Sequence, residues 1–230
     1  MSHPLCGFTY ELHIPDAQAS HVLVLTEDLW NAQMGDSVVV PLYELPDATA
    51  SLFLVDIGTK LKANCTRVQS MSHEFIGNVV GRCPNESWVR VRIGVRKFLD
   101  IDRRIAKTDP KPPVSPRPDW WPRQNDIHFA TNAQINATDK LYAVISDDDW
   151  NSLAGTPNVA AVRLTSKTKP QRLRWEVPVG DGGYVVTGDI YSVALSDFEQ
   201  KPPPNTYPSQ ITDDESAEIA LKQKSALTLS

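Results

Sequence analysis

The chain contains one sequence pattern twice, 120 residues apart. Residues 22–31 read VLVLTEDLWN and residues 142–151 read YAVISDDDWN, each an apolar run followed by a hydroxyl residue, acidic residues and Trp-Asn. A second apolar run follows each copy, at 37–43 and at 159–165. A long-period repeat constrains the architecture more than any local motif, because each copy is expected to build the same supersecondary unit. The pattern predicts two related domains in tandem.

Clusters of proline mark the expected domain boundaries. Six of the 18 prolines lie in residues 102–123, which show no sustained apolar periodicity and are typical of an extended linker. A second cluster, KPPPNTYP at 201–208, separates a tail from the body of the second copy. We therefore expect a first domain at 1–101, a linker at 102–123, and a second domain at 124–230 that includes the tail.

Composition excludes several classes of protein. With 41% hydrophobic and 22% charged residues, the chain is typical of soluble globular proteins. It contains no apolar stretch of membrane-spanning length, and its start, MSHPLCG, is unlike a signal peptide. Three cysteines without metal-site spacing predict reduced thiols, no metal site and no cofactor. We expect a cytoplasmic protein that does not bind membranes.

Short, turn-bounded apolar segments predict mainly β structure with few helices. One helix is expected after Pro84, because apolar residues recur there at helical spacing: Trp88, Val91, Val95, Phe98 and Leu99. A second helix is expected in the tail, where Thr212 and Glu215 have the spacing of a capping box. Each domain thus ends in a helix. The acidic residues 147–149 are expected to form the first turn of a short helix after the second copy's strand.

The order of these segments resembles the PemK/MazF growth-inhibitor family. The segments that carry the resemblance are GFTYEL (7–12), VLVLTEDLWN (22–31), SVVVPLY (37–43) and NCTRVQSMSHEFIGNVVGRC (64–83) in the first copy, and NDIHFA (125–130), KLYAVISDDDWN (140–151), VAAVRLTS (159–166) and GDIYSVALSDF (188–198) in the second. The resemblance implies an SH3-like β-barrel, as in CcdB and MazF, with a C-terminal helix. Because the family is normally homodimeric, two degenerate copies in one chain imply a single-chain pseudo-dimer.

The resemblance also implies a site. Toxins of this family are metal-independent endoribonucleases (mRNA interferases) that cleave single-stranded RNA with an arginine at the start of one strand and a hydroxyl at the end of the next. In the second copy, Lys140 occupies the arginine position, and Thr165, followed by Ser166, occupies the hydroxyl position. Arg163 or Arg172 can supply the guanidinium that Lys140 lacks. The candidate catalytic group is Lys140, Arg163, Thr165 and Ser166.

The first copy departs from this pattern. Its arginine position falls at Ser20 or His21, and its hydroxyl position is Tyr43. The stretch that follows carries Glu44, Asp47 and Asp56 and no basic residue before Lys60. We expect the first copy to have lost the site.

A basic stretch continues from the candidate hydroxyl of the second copy. Five residues after Ser166 are predicted to bind RNA through phosphate attraction and base stacking: Lys167, Lys169, Arg172, Arg174 and Trp175. Two simpler interpretations stay open. A basic run of this length is also typical of a solvated strand–loop face, and Thr165 can be a strand-end threonine.

Two functions therefore remain open. The first is a toxin-like endoribonuclease of a toxin–antitoxin type. The alternative is a catalytically inactive pseudo-dimer that binds a protein, as an inhibitor or assembly factor. The partner is single-stranded RNA or a protein target. The acidic segment 211–221 resembles the peptides with which antitoxins cover such toxins, so the tail at 205–230 can cover the basic stretch, or it can simply close its own domain as a helix.

Overall fold

The computed structural model describes residues 3–46, 51–58, 60–109, 119–132, 137–153, 155–166, 174–199 and 208–229. Within these ranges the chain forms two antiparallel sheets and five α-helices. It divides into two compact units, Met1–Phe98 with Lys224–Ser230 and Leu99–Gln223. The prediction of mainly β structure with few helices is confirmed. The single-chain pseudo-dimer remains a prediction.

The first unit is built on a seven-stranded sheet whose main path runs β4-β5-β3-β2-β1-β7, with β6 paired to β3. Its strands are β1 (Phe8–Leu12), β2 (His21–Val24), β3 (Asp36–Glu44), β4 (Leu54–Asp56), β5 (Leu61–Asn64), β6 (Gln69–Ser72) and β7 (Ile76–Arg82). Its helices are α1 (Asp28–Met34) and α2 (Asn85–Phe98). Helix α2 is the helix predicted after Pro84, and Val91, Val95 and Phe98 are buried as its spacing required.

The second unit is built on a five-stranded sheet in the order β11-β12-β10-β9-β8. Its strands are β8 (Ile127–Asn132), β9 (Ala137–Val144), β10 (Asn158–Thr165), β11 (Glu176–Val179) and β12 (Gly183–Ala194). Its helices are α3 (Ile101–Ala106), α4 (Asp148–Asn151) and α5 (Asp213–Ala226). None of the helices in the described ranges is both long and apolar enough to cross a membrane.

The two copies of the repeated pattern fold alike. Each forms an antiparallel strand pair joined through a short helix, β2–α1–β3 in the first unit and β9–α4–β10 in the second. In the first, the hydroxyl of Thr26 donates to Oδ1 of Asn31 and accepts from the N–H of Val38. In the second, the hydroxyl of Ser146 donates to Oδ1 of Asn151 and accepts from the N–H of Ala160. The repeated hydroxyl and asparagine are therefore structural residues.

The beginning of the predicted linker differs from the expectation of an extended chain. Residues 101–106 form helix α3 because Arg104 is buried and fully engaged. Its guanidinium donates to the Ser216 hydroxyl over 2.9 Å, to Gln223 Oε1 over 3.1 Å, and to the carbonyls of Ser216 and Leu99. At the other end of the predicted linker, Trp120 packs against the core of the second unit. Residues 110–118 lie outside the described ranges.

The tail forms helix α5 with the predicted capping box. The N–H of Glu215 donates to the Thr212 hydroxyl over 3.2 Å, and the Glu215 carboxylate accepts from the N–H of Thr212 over 2.7 Å. After this helix the chain differs from the expected division, because residues 224–230 belong to the first unit. There the Thr228 hydroxyl donates to the carbonyl of Leu25 over 3.2 Å.

Candidate functional site

The predicted catalytic residues of the second unit lie on neighbouring strands. In the β9–β10 pair, Arg163 is opposite Tyr142. Lys140 lies two residues from Tyr142 on β9, and Thr165 lies two residues from Arg163 on β10. Residues directly opposite in an antiparallel pair project from the same face, and so do residues two apart on one strand. Lys140, Arg163 and Thr165 therefore share one face of the sheet, which we call the site face.

These residues differ in accessibility. The side chain of Lys140 is exposed, and that of Thr165 is half-buried. Ser166 is exposed just beyond the end of β10. Arg163 is half-buried, and its Nε is shielded from solvent without a hydrogen-bond acceptor in the described part of the chain. An ammonium and a guanidinium group thus lie on the same face as the Thr165 hydroxyl.

The site face also carries Tyr142 and His128, which sequence reasoning did not select. Tyr142 is fully buried, and its hydroxyl lacks a hydrogen-bond partner among the described residues. Burial raises the pKa of Tyr142, because it disfavours the phenolate, and the charge of Arg163 offsets part of this rise. His128 is opposite Tyr142 on β8. Its ring meets those of Trp120 and Phe198 edge-on, at centroid distances of 5.3 and 6.1 Å.

His128 also contacts a carboxylate. Its Nε2 lies 3.5 Å from Oδ2 of Asp126, at the limit of hydrogen bonding. Burial alone would raise the pKa of Asp126, but hydrogen bonds from His128, Gln210 and the N–H of Arg123 outweigh it and hold that pKa below its ordinary value. The carboxylate is therefore ionised at neutral pH and restricts the orientation of the imidazole.

A buried carboxylate lies further across the same face. Thr165 is opposite Tyr184 on β12, and Tyr184 is opposite Pro178 on β11. Glu176, two residues before Pro178, therefore also projects from the site face. It is 5% exposed, and neither carboxylate oxygen has a hydrogen-bond partner in the described ranges.

The predicted RNA-binding stretch is only partly visible. Lys167, Lys169 and Arg172 lie outside the described residues. Arg174 is exposed, with its guanidinium carbon 5.6 Å from the centroid of the Trp175 ring. Trp175 itself is 2% exposed and lies in the turn that precedes β11. The indole is a buried side chain, and its role in base stacking stays a prediction.

The equivalent position in the first unit carries different chemistry. Tyr43 stands where the second unit has Thr165, and burial raises the pKa of its phenol. Opposite it, Lys62 is buried and donates to the carbonyl of Pro46 over 2.8 Å. His21 is held by the hydroxyl of Ser20 at 2.8 Å. These contacts engage the nearby polar groups within the unit itself.

The acidic residues after β9 cap helix α4, as predicted. The Asp147 carboxylate accepts from the N–H of Asp149 over 3.1 Å, and Asp148 Oδ1 accepts from the N–H of Gln124 over 2.6 Å. Burial raises the pKa of Asp148 to about 6. Among the described residues, no group of three or more His, Cys, Asp and Glu side chains is arranged to hold a metal ion.

One of the residues that sequence reasoning missed could have been found from the sequence alone. Tyr142 is two residues from Lys140, so strand alternation alone places both on one face. His128 and Glu176 carried no such signal, because their approach to this face depends on the register of β8 with β9 and of β11 with β12.

Of three comparisons with known proteins, the one with solved structures finds matches. No protein-family model matches the sequence, and no curated protein matches it. An endoribonuclease from a Mycobacterial species is similar with a TM-score of 0.36 and 17% identity, over 42% of this chain and 90% of that one. MazF from Deinococcus radiodurans is similar with a TM-score of 0.36 and 15% identity, over 41% of this chain and 94% of that one. A MazE–MazF structure from the same organism gives a TM-score of 0.35 and 17% identity, over 41% and 93%.

Proposed function

We propose that the second unit is a metal-independent, toxin-like endoribonuclease that cleaves single-stranded RNA. The observation that carries the proposal is the common face of Lys140, Arg163 and Thr165 on adjacent strands. An ammonium and a guanidinium beside a hydroxyl suit a phosphate group whose negative charge increases during reaction. The order of segments that resembles the PemK/MazF family supports the same reaction.

The proposed reaction needs no metal. The ribose 2′-oxygen attacks the adjacent phosphorus, a P–O2′ bond forms, and the P–O5′ bond breaks. The 2′-hydroxyl proton is lost and the leaving 5′-oxygen gains one, so a cyclic phosphate and a 5′-hydroxyl result. Arg163 would donate to the non-bridging phosphate oxygens, Lys140 would add charge, and the Thr165 hydroxyl would orient the phosphate.

The remaining predicted residues and the first unit are also assigned roles in this proposal. Ser166 and Arg174 are exposed beside the end of the site face, where they can contact the RNA backbone. We include Lys167, Lys169 and Arg172 as phosphate contacts because they are cations next to Thr165 in sequence. The first unit would serve as the built-in partner of a pseudo-dimer, without a site of its own.

The test is cleavage of a fluorophore–quencher single-stranded RNA by the purified full chain in excess EDTA. Wild-type protein is expected to cleave, and Arg163→Gln and Thr165→Ala are each expected to lose about a hundredfold or more in rate, the range typical of removing one preorganised donor. Arg82→Gln, which removes an exposed cation of the first unit, is the matched control and should retain the wild-type rate. Intact RNA with the wild-type protein would overturn the proposal.

A protein-binding role is the second candidate, and the edge of the first unit's sheet favours it. Strand β7 ends the sheet, and its Val79 and Val80 are 58% and 55% exposed. An edge strand with exposed apolar side chains can pair with a strand of another protein. In this role the chain is an inhibitor or assembly factor. Replacing Val79 with Lys should abolish such binding and leave RNA cleavage unchanged.

The tail has two proposed roles. Helix α5 buries Ile219 and Ala220, which supports the role of a closing helix. Self-inhibition, in which the tail covers the basic stretch as an antitoxin peptide would, remains a proposal. Replacing the exposed Asp213 and Asp214 with Asn would raise the cleavage rate under self-inhibition and leave it unchanged if the helix only closes the unit.

A further inference from the structure

Buried polar groups without hydrogen-bond partners concentrate on the site face of the second unit. They are both carboxylate oxygens of Glu176, Nε of Arg163, the hydroxyl of Tyr142 and Nδ1 of His128. Folded proteins satisfy most buried polar groups, and those left unpaired are frequently sites of ligand binding or chemistry. Several such groups on one face indicate that a ligand completes their hydrogen bonds.

Glu176 places the strongest demand on that ligand. Carboxyl oxygens accept hydrogen bonds, so the two oxygens of Glu176 call for N–H or O–H donors from outside. The nearest lysine does not supply them, since Lys222 donates to the main-chain carbonyl of Glu176 over 2.6 Å and pairs with Glu218 at 3.1 Å. A metal ion is a poor occupant, because the described residues place no third ligand group near this carboxylate.

Arg163 requires the opposite chemistry, an acceptor with negative charge. Its strand β10 is separated from the β11 strand of Glu176 by β12 alone. Two strand spacings amount to about 10 Å. A nucleotide spans this scale, with an anionic phosphate at one end and hydrogen-bond donors on the base at the other.

The geometry of a carboxylate selects among the bases. Guanine presents two parallel donors, N1–H and the N2 amino group, on its Watson–Crick edge, and they match the two oxygens of one carboxylate. Uracil offers one imino donor, and adenine and cytosine each offer one amino group on this edge. We infer that Glu176 reads guanine in single-stranded RNA bound across the site face, an inference that rests on the proposed function.

The buried position of these atoms would strengthen a hydrogen bond between Glu176 and the base. The unpaired atoms are shielded from solvent, and hydrogen bonds formed away from water are stronger than those at an exposed surface. Ligand entry therefore requires side chains over this face to move. Trp120, whose ring stands edge-on 5.3 Å from that of His128, is one of them.

Binding can be measured separately from cleavage. The probes are three fluorescent pentamers, UUGUU, UUIUU and UUUUU, carrying 2′-O-methyl groups that remove the attacking hydroxyl; inosine lacks only the N2 amino group of guanine. By anisotropy, the full wild-type chain should prefer guanine over inosine by about tenfold to a hundredfold, the range expected when one buried hydrogen bond is lost and its acceptor stays unpaired. Glu176→Gln should reduce this preference to below threefold. Glu199→Gln, an exposed glutamate of the same unit, should retain it.

Each outcome decides one claim. Tight binding without discrimination between guanine and inosine overturns the inference, while cleavage of unmodified RNA still decides the proposed function. A guanine preference that depends on Glu176, without any cleavage, retains the inference and overturns the ribonuclease. Failure to bind any pentamer overturns the inference, and cleavage of unmodified RNA again decides the proposed function. If Glu176→Gln does not fold, the comparison of guanine with inosine on the wild-type protein decides by itself.

Discussion

The Ser146 hydroxyl donates a 2.6 Å hydrogen bond to Oδ1 of Asn151, and the Asn151 amide donates back to the Ser146 carbonyl over 3.1 Å. This reciprocal pair joins the end of strand β9 to helix α4. Thr26 and Asn31 make the same two bonds in the first unit. The repeated Trp-Asn sequence is thus explained by a buried joint, which each copy needs to turn from one strand into the next.

Asn151→Ala and Asn31→Ala should each destabilise the protein. Removing a fully satisfied buried amide leaves its partners unpaired and costs about 1–3 kcal/mol. Urea denaturation followed by circular dichroism should show a lower midpoint for both variants. Asn78→Ala, at an exposed asparagine, is the matched control and should stay close to wild type. Unchanged midpoints for the two buried sites would contradict the structural role.

Tyr142→Phe should separate stability from activity. The lost hydroxyl is buried and unpaired, so the free energy of unfolding should stay level or rise by about 1 kcal/mol. If the hydroxyl contacts RNA in the proposed reaction, the cleavage rate should fall at the same time. A variant that is less stable than wild type would show that Tyr142 has a structural partner instead.

Asp148→Asn should change the pH dependence of stability. The pKa of Asp148 is raised to about 6 by burial, so the folded state binds this proton more tightly than the unfolded state does. The stabilising contribution of this group is therefore present below about pH 4 and is lost as the pH rises through 6. The melting temperature of Asp148→Asn relative to wild type should increase between pH 4 and pH 7. Asp181→Asn, an exposed aspartate of the same unit, should give no such trend.

Arg104→Met should destabilise the second unit strongly. Burial lowers the pKa of Arg104 to about 9, yet three of its four hydrogen bonds connect helix α3 to helix α5. Their loss should cost about 2–4 kcal/mol, because the buried acceptors of Ser216 and Gln223 lose their donor. Arg90→Met, at an exposed position of α2, is the control for loss of charge. Equal denaturation midpoints for the two variants would show that α3 is held by other contacts.

The three cysteines should react in a fixed order with a thiol reagent. Cys6 is partly exposed, whereas Cys83 and Cys65 are buried, and burial raises their pKa values to about 11 and about 12. Since the thiolate is the reactive form, Cys6 should react first and Cys65 only on unfolding. Single-serine variants assign each phase, and protein in 6 M guanidinium gives the total. Equal native rates for all three thiols would contradict this packing.

Elements whose cause is local were predictable from the sequence. Helix α2 follows from apolar residues at helical spacing, and the start of α5 follows from a hydroxyl and a carboxylate three residues apart. The two matching strand–helix–strand segments follow from the repeat. In each case, the residues that determine the structure are neighbours along the chain, so their interaction requires no knowledge of the fold.

The tertiary structure decided the rest. Strand register brings His128, Arg163 and Glu176 to one face. Arg104 turns the start of a predicted linker into a helix because partners more than 100 residues away accept its hydrogen bonds. By itself the sequence determined two related β units, their principal helices and three of the residues on one candidate face. Which side chains are buried together depends on pairing between distant strands, and a one-residue change in register would turn each of them to the other face.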